Sequence, residues 1–70
     1  MSLIIENQTD QIFTVTIEKL NLGSIAPGDQ IIKRDFPRMQ HQLIAKNAQR
    51  EIIFLKHIPS RLKTHIIFKR

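Results

Sequence analysis

The sequence predicts an all-β fold, a small antiparallel sandwich or barrel of about six short strands. Isoleucine occupies 13 of the 70 positions, and threonine and valine add further β-branched side chains, which pack well on a pleated sheet. In several segments apolar and polar residues alternate with a period of two, as in a sheet that buries one face. Turn-forming residues separate these segments at intervals of roughly 8–12 residues.

The clearest strand lies at Ile12–Glu18, where three apolar residues at odd positions alternate with polar ones. A shorter strand is predicted before it, at Leu3–Glu6. The segment between them, Asn7–Asp10, consists of turn-forming residues. The beginning of the chain is therefore predicted to form two strands joined by a turn.

Two more turns are predicted next, at Asn21–Gly23 and Ala26–Asp29. In the second turn the proline fixes φ at the first central position, and the glycine after it accepts the positive φ that a type II turn requires. A strand is expected to resume at Gln30–Lys33 and to end before a break near Phe36 and Pro37.

Residues 38–57 admit two interpretations. Met39–Glu51 is rich in helix-forming residues, and Asp35 is a possible N-cap for a helix there. The alternative is a hairpin of Gln42–Lys46 and Glu51–His57, although the turn between them lacks an Asn-Gly or Asp-Gly pair. If Ile52–Leu55 is a strand, both of its faces are apolar, which is typical of a central strand. If it is part of a helix, its apolar side chains point in all directions around the helix, and a chain this small has too little core to cover them. We therefore favour the hairpin.

A last strand is predicted at Arg61–Arg70. Its even positions carry Leu62, Thr64, Ile66 and Phe68, whereas its odd positions carry Arg61, Lys63, His65, Ile67 and Lys69. This alternation indicates one buried face and one face that is mostly basic, which only Ile67 interrupts.

The net charge of +5 conceals two unlike halves. Residues 1–32 carry one lysine and four acids, a balance of −3, whereas residues 33–70 carry ten Lys and Arg and two acids, a balance of +8. No acid follows Glu51. The positive charge is therefore concentrated at the end of the chain, which points toward acidic partners but identifies none.

The candidate face for such a partner consists of cationic or titratable side chains on or beside the last two predicted strands: Lys56, Arg61, Lys63, His65, Lys69 and Arg70. Phosphate neutralisation by this face predicts a nucleic-acid-binding protein as one alternative. However, proteins that read single strands add aromatic stacking platforms, and the four phenylalanines here are needed in the core. The same lysines also suit a protein partner, or protect an exposed sheet edge from aggregation.

The sequence offers no constellation of catalytic residues. Cysteine is absent, the carboxylates are scattered, and two glycines cannot build a phosphate-binding loop. His41, His57 and His65 are separated by 16 and 8 residues, which matches no familiar zinc spacing. Neighbouring strands offer one way to bring His57 and His65 together. We expect no enzyme activity, no metal and no cofactor.

Short motifs follow one another between Asn7 and about Leu55. Asn7 and Thr9 precede a strand, Gly23–Gly28 reads Gly-Ser-Ile-Ala-Pro-Gly, and His41–Ala45 reads His-Gln-Leu-Ile-Ala before a hairpin. This order resembles small bacterial sandwich modules of the PEGA-like type, although the Pro-Glu-Gly-Ala tetrapeptide is absent. The resemblance implies an Ig-like, non-catalytic accessory or interaction domain, and it transfers no site residues.

We expect one domain over residues 1–70, since the chain is shorter than most single domains. The apolar run at Leu3–Ile5 is too short for a signal peptide, and no run approaches the length of a membrane span. A cytoplasmic protein without membrane contact is therefore expected. A thin core and open sheet edges favour self-association or a protein partner. The leading hypothesis is a non-catalytic interaction module.

Overall fold

The structure, a computed structural model, describes residues 2–36, 41–59 and 62–69. These residues form seven strands and no helix: β1 (Ser2–Asn7), β2 (Phe13–Ile17), β3 (Leu20–Ile25), β4 (Gln30–Lys33), β5 (His41–Lys46), β6 (Ile52–Ile58) and β7 (Lys63–Phe68). The predicted all-β class is confirmed.

The described strands form two sheets that face each other. One has three strands in the order β4–β1–β7, and the other has four in the order β3–β2–β5–β6. β1 pairs antiparallel with β4 and parallel with β7, so the first and last described strands are neighbours. The pairings within the four-stranded sheet are antiparallel. Both sheets are open at their edges, as far as the described strands show, so the architecture is a sandwich and not a closed barrel.

The core lies between the sheets and follows the alternation of the strands. Every second residue of β1 and β2 is buried, because successive side chains of a strand point to opposite faces. The buried apolar residues of the described chain are Leu3, Ile5, Phe13, Val15, Ile17, Ile25, Phe36, Leu43, Ala45, Ile58, Ile66 and Phe68. Burial of apolar surface between the sheets is therefore the main favourable contribution to folding.

Strand β3 occupies a segment for which the sequence predicts a turn, at Asn21–Gly23. The chain reverses earlier, through Glu18 and Lys19, and pairs Ile17 with Leu20 across a tight hairpin. Glu18 has a positive φ of 53°, a backbone conformation that residues other than glycine rarely adopt. The prediction of the turn position is therefore wrong, because nothing in Glu18–Lys19 identifies it as a hairpin turn.

The turn-forming residues Asn21 and Gly23 serve instead to bend β3. Here the pairing with β2 shifts register between Val15 and Thr16. Gly23 has a φ of 95°, and its N–H donates to Oδ1 of Asn21 over 2.8 Å. A register shift of this kind needs a residue that accepts positive φ, so the glycine permits an irregularity inside a strand.

The hairpin interpretation of residues 38–57 is confirmed for the described part, and the helix interpretation is wrong. β5 and β6 pair antiparallel and are joined by a turn that Asn47 stabilises. Its Oδ1 accepts hydrogen bonds from the backbone N–H groups of Gln49 (3.0 Å) and Glu51 (2.9 Å). Arg50 has a positive φ of 64°. An asparagine side chain thus supplies the turn that an Asn-Gly pair would otherwise provide.

β7 confirms the predicted alternation of the last strand, with Ile66 and Phe68 buried and Lys63 and His65 exposed. Leu62, which the alternation predicts to be buried, is 71% exposed because it precedes the strand, so this part of the prediction is wrong. The predicted strand ends Arg61 and Arg70, like the predicted break at Pro37, lie outside the described residues.

The predicted turn at Ala26–Asp29 is confirmed. The N–H of Asp29 donates to the carbonyl of Ala26 over 3.0 Å, and Gly28 has a φ of 81°. The N–H of Gly28 also donates to the carbonyl of Asn7 over 2.8 Å. This hydrogen bond connects the turn to the end of β1.

Asn7 is fully buried, with 0% of its surface exposed, and its side chain forms a network of hydrogen bonds. Nδ2 donates to the carbonyls of Gln11 (2.7 Å) and Ile25 (3.0 Å). Oδ1 accepts from the N–H and the hydroxyl of Thr9, over 3.0 and 2.7 Å. The amide therefore uses both donors and both acceptor positions. It joins β1 of one sheet to the end of β3 in the other.

Replacing Asn7 with alanine is expected to lower the free energy of unfolding by about 2–4 kcal/mol, because the buried carbonyl of Ile25 and the part-buried carbonyl of Gln11 and N–H of Thr9 lose their hydrogen-bond partner. Urea denaturation followed by circular dichroism measures this loss. The matched control is Asn21→Ala. Asn21 is exposed and bonds to the N–H of Gly23, so its loss is expected to stay below about 1 kcal/mol. Equal losses in the two variants would contradict the role assigned to Asn7.

Candidate interaction surfaces

The structure places three residues of the predicted anionic-partner face in one row on the three-stranded sheet. Lys63 and His65 lie opposite Ser2 and Ile4 of β1, on the outer face of the sheet, and Lys69 follows the end of β7. All three side chains of the row are exposed. Two further residues predicted for this face, Arg61 and Arg70, lie outside the described residues.

Lys56 lies apart from this row, on the other sheet. It is paired with Leu43 of β5, which is fully buried, so Lys56 points from β6 toward the space between the sheets. Its Nζ lies 5.8 Å from the centroid of the Phe54 ring, within the range of a cation–π interaction. The predicted residues therefore belong to two surfaces that meet at the β6–β7 side of the sandwich.

An acidic residue from the beginning of the chain lies beside the basic row. Glu6 of β1 pairs with Ile67 and accepts hydrogen bonds from the side chains of Gln8 and Gln30, the latter over 2.8 Å. These hydrogen bonds are the main cause that lowers the pKa of Glu6, and the nearby His65 and Lys69 lower this pKa further. No acid follows Glu51 in the sequence, but folding brings Glu6 from the beginning of the chain next to the basic row.

The three histidines do not come together. His57 is paired with Gln42 on the outer face of the four-stranded sheet, whereas His65 lies on the outer face of the opposite sheet. The ring of His41 meets the ring of Phe36 edge-on, with centroids 4.8 Å apart. In the described part of the chain no three His, Cys, Asp or Glu side chains are grouped to hold a metal ion. The proposed approach of His57 and His65 is therefore wrong.

Three phenylalanines form a cluster where β2, β6 and β7 meet. Phe54 stacks on Phe68 with centroids 4.7 Å apart, and Phe13 meets both rings edge-on at 5.4 and 5.7 Å. Phe13 and Phe68 are 1% and 0% exposed, while Phe54 is half-buried. These rings pack the core, as predicted, and two of them present no surface on which a nucleic acid base can stack.

β6 differs from the sequence-based expectation of a central strand. It lies at an edge of the four-stranded sheet, and Ile52, Ile53 and Leu55 are 56%, 44% and 58% exposed. An apolar run indicates that a strand has two apolar faces, but it does not specify which elements cover them. This exposed surface is the feature that sequence reasoning missed, and the only local signal for it is the run of four apolar residues at 52–55.

Comparison of the chain with models of protein families, with curated proteins and with solved structures gave no match. The resemblance to PEGA-like modules therefore stays a prediction. Within residues 2–36, 41–59 and 62–69 there is no helix of the length and apolarity needed to cross a membrane.

Replacing Glu6 with glutamine is expected to reduce the sensitivity of the fold to acid. A carboxyl group with a lowered pKa stabilises the folded chain above its unfolded pKa, here 4.5, and this contribution is lost as the pH falls through the folded pKa. We therefore expect the midpoint of thermal unfolding to fall more steeply below about pH 5 in the natural chain than in Glu6→Gln. Thermal scans of both chains between about pH 3 and pH 7 test this expectation. If the unfolding midpoints of the two chains fall by the same amount over this range, the expectation is refuted.

Proposed function

We propose that this chain is a non-catalytic interaction module that associates with a second copy of itself through edge strand β6. The observation that carries the proposal is the exposed apolar surface of this strand. Ile52 and Leu55 lie on its outer face, where Leu55 pairs with half-buried Ile44 of β5, and Ile53 is 44% exposed at the register shift between them. An edge strand with such a surface is a template for pairing with another strand. The predicted resemblance to non-catalytic PEGA-like modules points in the same direction.

The other edges of the described sheets carry features that oppose pairing, whereas β6 is long and mostly apolar. β4 has only four residues, and β3 contains a register shift with Gly23. β7 presents Lys63, and Lys69 follows it. Short strands, irregular pairing and lysines are the usual means by which proteins protect sheet edges. β6 has seven residues, and its own irregularity is confined to the start of the strand, where Ile52 pairs with Lys46.

The sequence of β6 is complementary to itself in an antiparallel arrangement. A two-fold axis at Leu55 sets Lys56 opposite Phe54 of the second copy, and His57 opposite Ile53. Lys56 then faces an aromatic side chain and His57 an apolar one, so no like charges stand opposite each other. The same operation on β7, centred at Ile66, sets lysine against lysine, since Lys63 meets Lys69.

Association through β6 also compensates for the small size of the fold. A chain of 70 residues buries a smaller fraction of its surface on folding than a longer one, so its core is thin. Pairing of β6 with its copy continues the four-stranded sheet from one molecule into the other and sets Leu55 beside Leu55 of the second copy, where the two side chains shield part of each other's apolar surface. The apolar area removed from water at this contact is the main favourable term for association.

Light scattering coupled to size exclusion, at chain concentrations from about 10 to 500 µM, is expected to show a mass that rises toward twice that of the monomer. Leu55→Lys is expected to raise the dissociation constant at least about tenfold, because the two-fold axis sets the introduced lysines opposite each other. A strict monomer across this range would sink the proposal.

The matched control is Leu20→Lys. Leu20 is 52% exposed, close to the 58% of Leu55, and it lies on β3, at the opposite edge of the same sheet. The two substitutions add the same charge and remove the same apolar side chain. If they weaken association equally, general electrostatic repulsion explains the effect and β6 is not the contact.

A further inference from the structure

We propose that the three-stranded sheet has room for a fourth strand beside β7, above β6, and that an extended acidic peptide binds there. The proposal concerns a different sheet edge from the self-association described above and does not depend on it. It derives from the unequal number of strands in the two sheets, from the burial of the inner face of β6 and from the charges around that face.

The position of β7 leaves β6 without an opposing strand among those described. The Phe68 ring of β7 contacts Phe54 of β6 and Phe13 of β2, which belong to the two strands that flank β5. β7 therefore lies above β5. β3 and β4 approach each other at the other side of the sandwich. The four-stranded sheet consequently extends one strand beyond the three-stranded sheet, at β6.

The burial of inward-facing residues shows the same mismatch. Leu43 and Ala45 of β5 are fully buried beneath β7. On β6 the inward-facing Ile58 is fully buried, but Phe54 is only half-buried and Lys56 is exposed, so the uncovered part of the inner face lies at these two residues. A strand placed beside β7 would cover the ring of Phe54 and the aliphatic part of Lys56, whose ammonium group stays in solvent. It would also pair with the edge of β7, which no described strand occupies.

The charges around this position select an acidic ligand. Lys56 lies on its floor, and the exposed row Lys63, His65 and Lys69 follows the neighbouring edge of β7. Two acids lie near this row: Glu6 of β1, which accepts hydrogen bonds from two glutamine side chains, and Asp10, which lines a cleft together with Lys69. The lysines of β7 repel a second copy of β7 but attract carboxylates. The edge of β7 therefore favours an acidic peptide over self-association.

A cleft at one end of this position indicates that the ligand also carries apolar side chains. It has a volume of about 230 Å³ and lies between the turn Thr9–Gln11 and the start of β6. Phe13, Ile53 and Phe54 contribute apolar walls, and Asp10 and Lys69 are its charged lining residues. Side chains of an extended peptide alternate between two faces. A peptide that alternates acidic and apolar residues therefore places carboxylates beside the lysines and an apolar side chain in the cleft.

The test uses a fluorescein-labelled peptide of alternating glutamate and valine, titrated with the full chain and followed by fluorescence anisotropy. We expect a dissociation constant on the order of 100 µM at about 50 mM salt, which rises as salt screens the charges. The double variant Lys63→Glu with Lys69→Glu is expected to bind about tenfold more weakly. No binding by the natural chain at low salt would overturn the proposal.

The matched control is Lys19→Glu with Lys33→Glu, which produces the same change in net charge. Lys19 lies in the β2–β3 turn and Lys33 on β4, at the opposite edge of the same three-stranded sheet. We expect this control to change the dissociation constant less than about twofold. An equal loss in both double variants would mean that affinity depends on total charge alone, which refutes a site beside β7.

Three further measurements keep the outcome decisive. In the natural chain, peptide binding is expected to shift the backbone amide resonances of β7 and of Phe54 and Lys56 more than those of β4; the reverse pattern contradicts the site.

An eight-nucleotide single-stranded RNA tests the other class of anionic partner. Tighter binding of this RNA than of the peptide, lost in the Lys63→Glu with Lys69→Glu variant, would assign the surface to nucleic acid. Retention of peptide binding by Leu55→Lys would support the independence of the two edges.

Discussion

The side-chain amide of Asn7 holds the two sheets together at one end of the sandwich. It donates to a carbonyl at the end of β3 in one sheet, while its own backbone belongs to β1 in the other. Its remaining hydrogen bonds fix the turn that leads into β2. A core of this size provides little surplus stability, so directional hydrogen bonds in a buried position contribute strongly to a unique arrangement of the sheets. The same turn forms one wall of the cleft beside Phe13, so the network that fixes the fold also shapes a surface.

A second constraint follows from packing three strands against four. β7 lies above β5, which leaves β6 partly uncovered on its inner face and exposed on its outer face. Both proposals derive from this one strand. Its apolar outer face and unprotected edge favour a second copy, whereas its inner face, together with the basic edge of β7, favours an acidic strand. The two surfaces differ because Leu55 points outward from β6, and Phe54 and Lys56 point toward the opposite sheet.

Local patterns in the sequence predicted most of the strands. Alternation identified β2 and β7. The hairpin of β5 and β6 was predicted because the apolar run at its second strand would leave apolar residues all around a helix, and the small core could not cover them. β3 was missed, because Asn21 and Gly23 have the chemistry of a turn but form an irregularity within a strand. Of the predicted anionic-partner face, Lys63, His65 and Lys69 lie in one row, and Lys56 lies on the other sheet. Alternation specifies the face of a side chain within its own strand, and it contains no information about which strand lies next to it.

The all-β class, the buried faces of β2 and β7 and the concentration of positive charge at the end of the chain were determined by the sequence alone, because each depends on residues close together along the chain. Only the tertiary structure decided that β6 is an edge strand and that Glu6 lies beside the basic row. These facts depend on the pairing of strands far apart in sequence, above all the parallel pairing of β1 with β7. That pairing is set by the packing of the whole core, which no local pattern encodes.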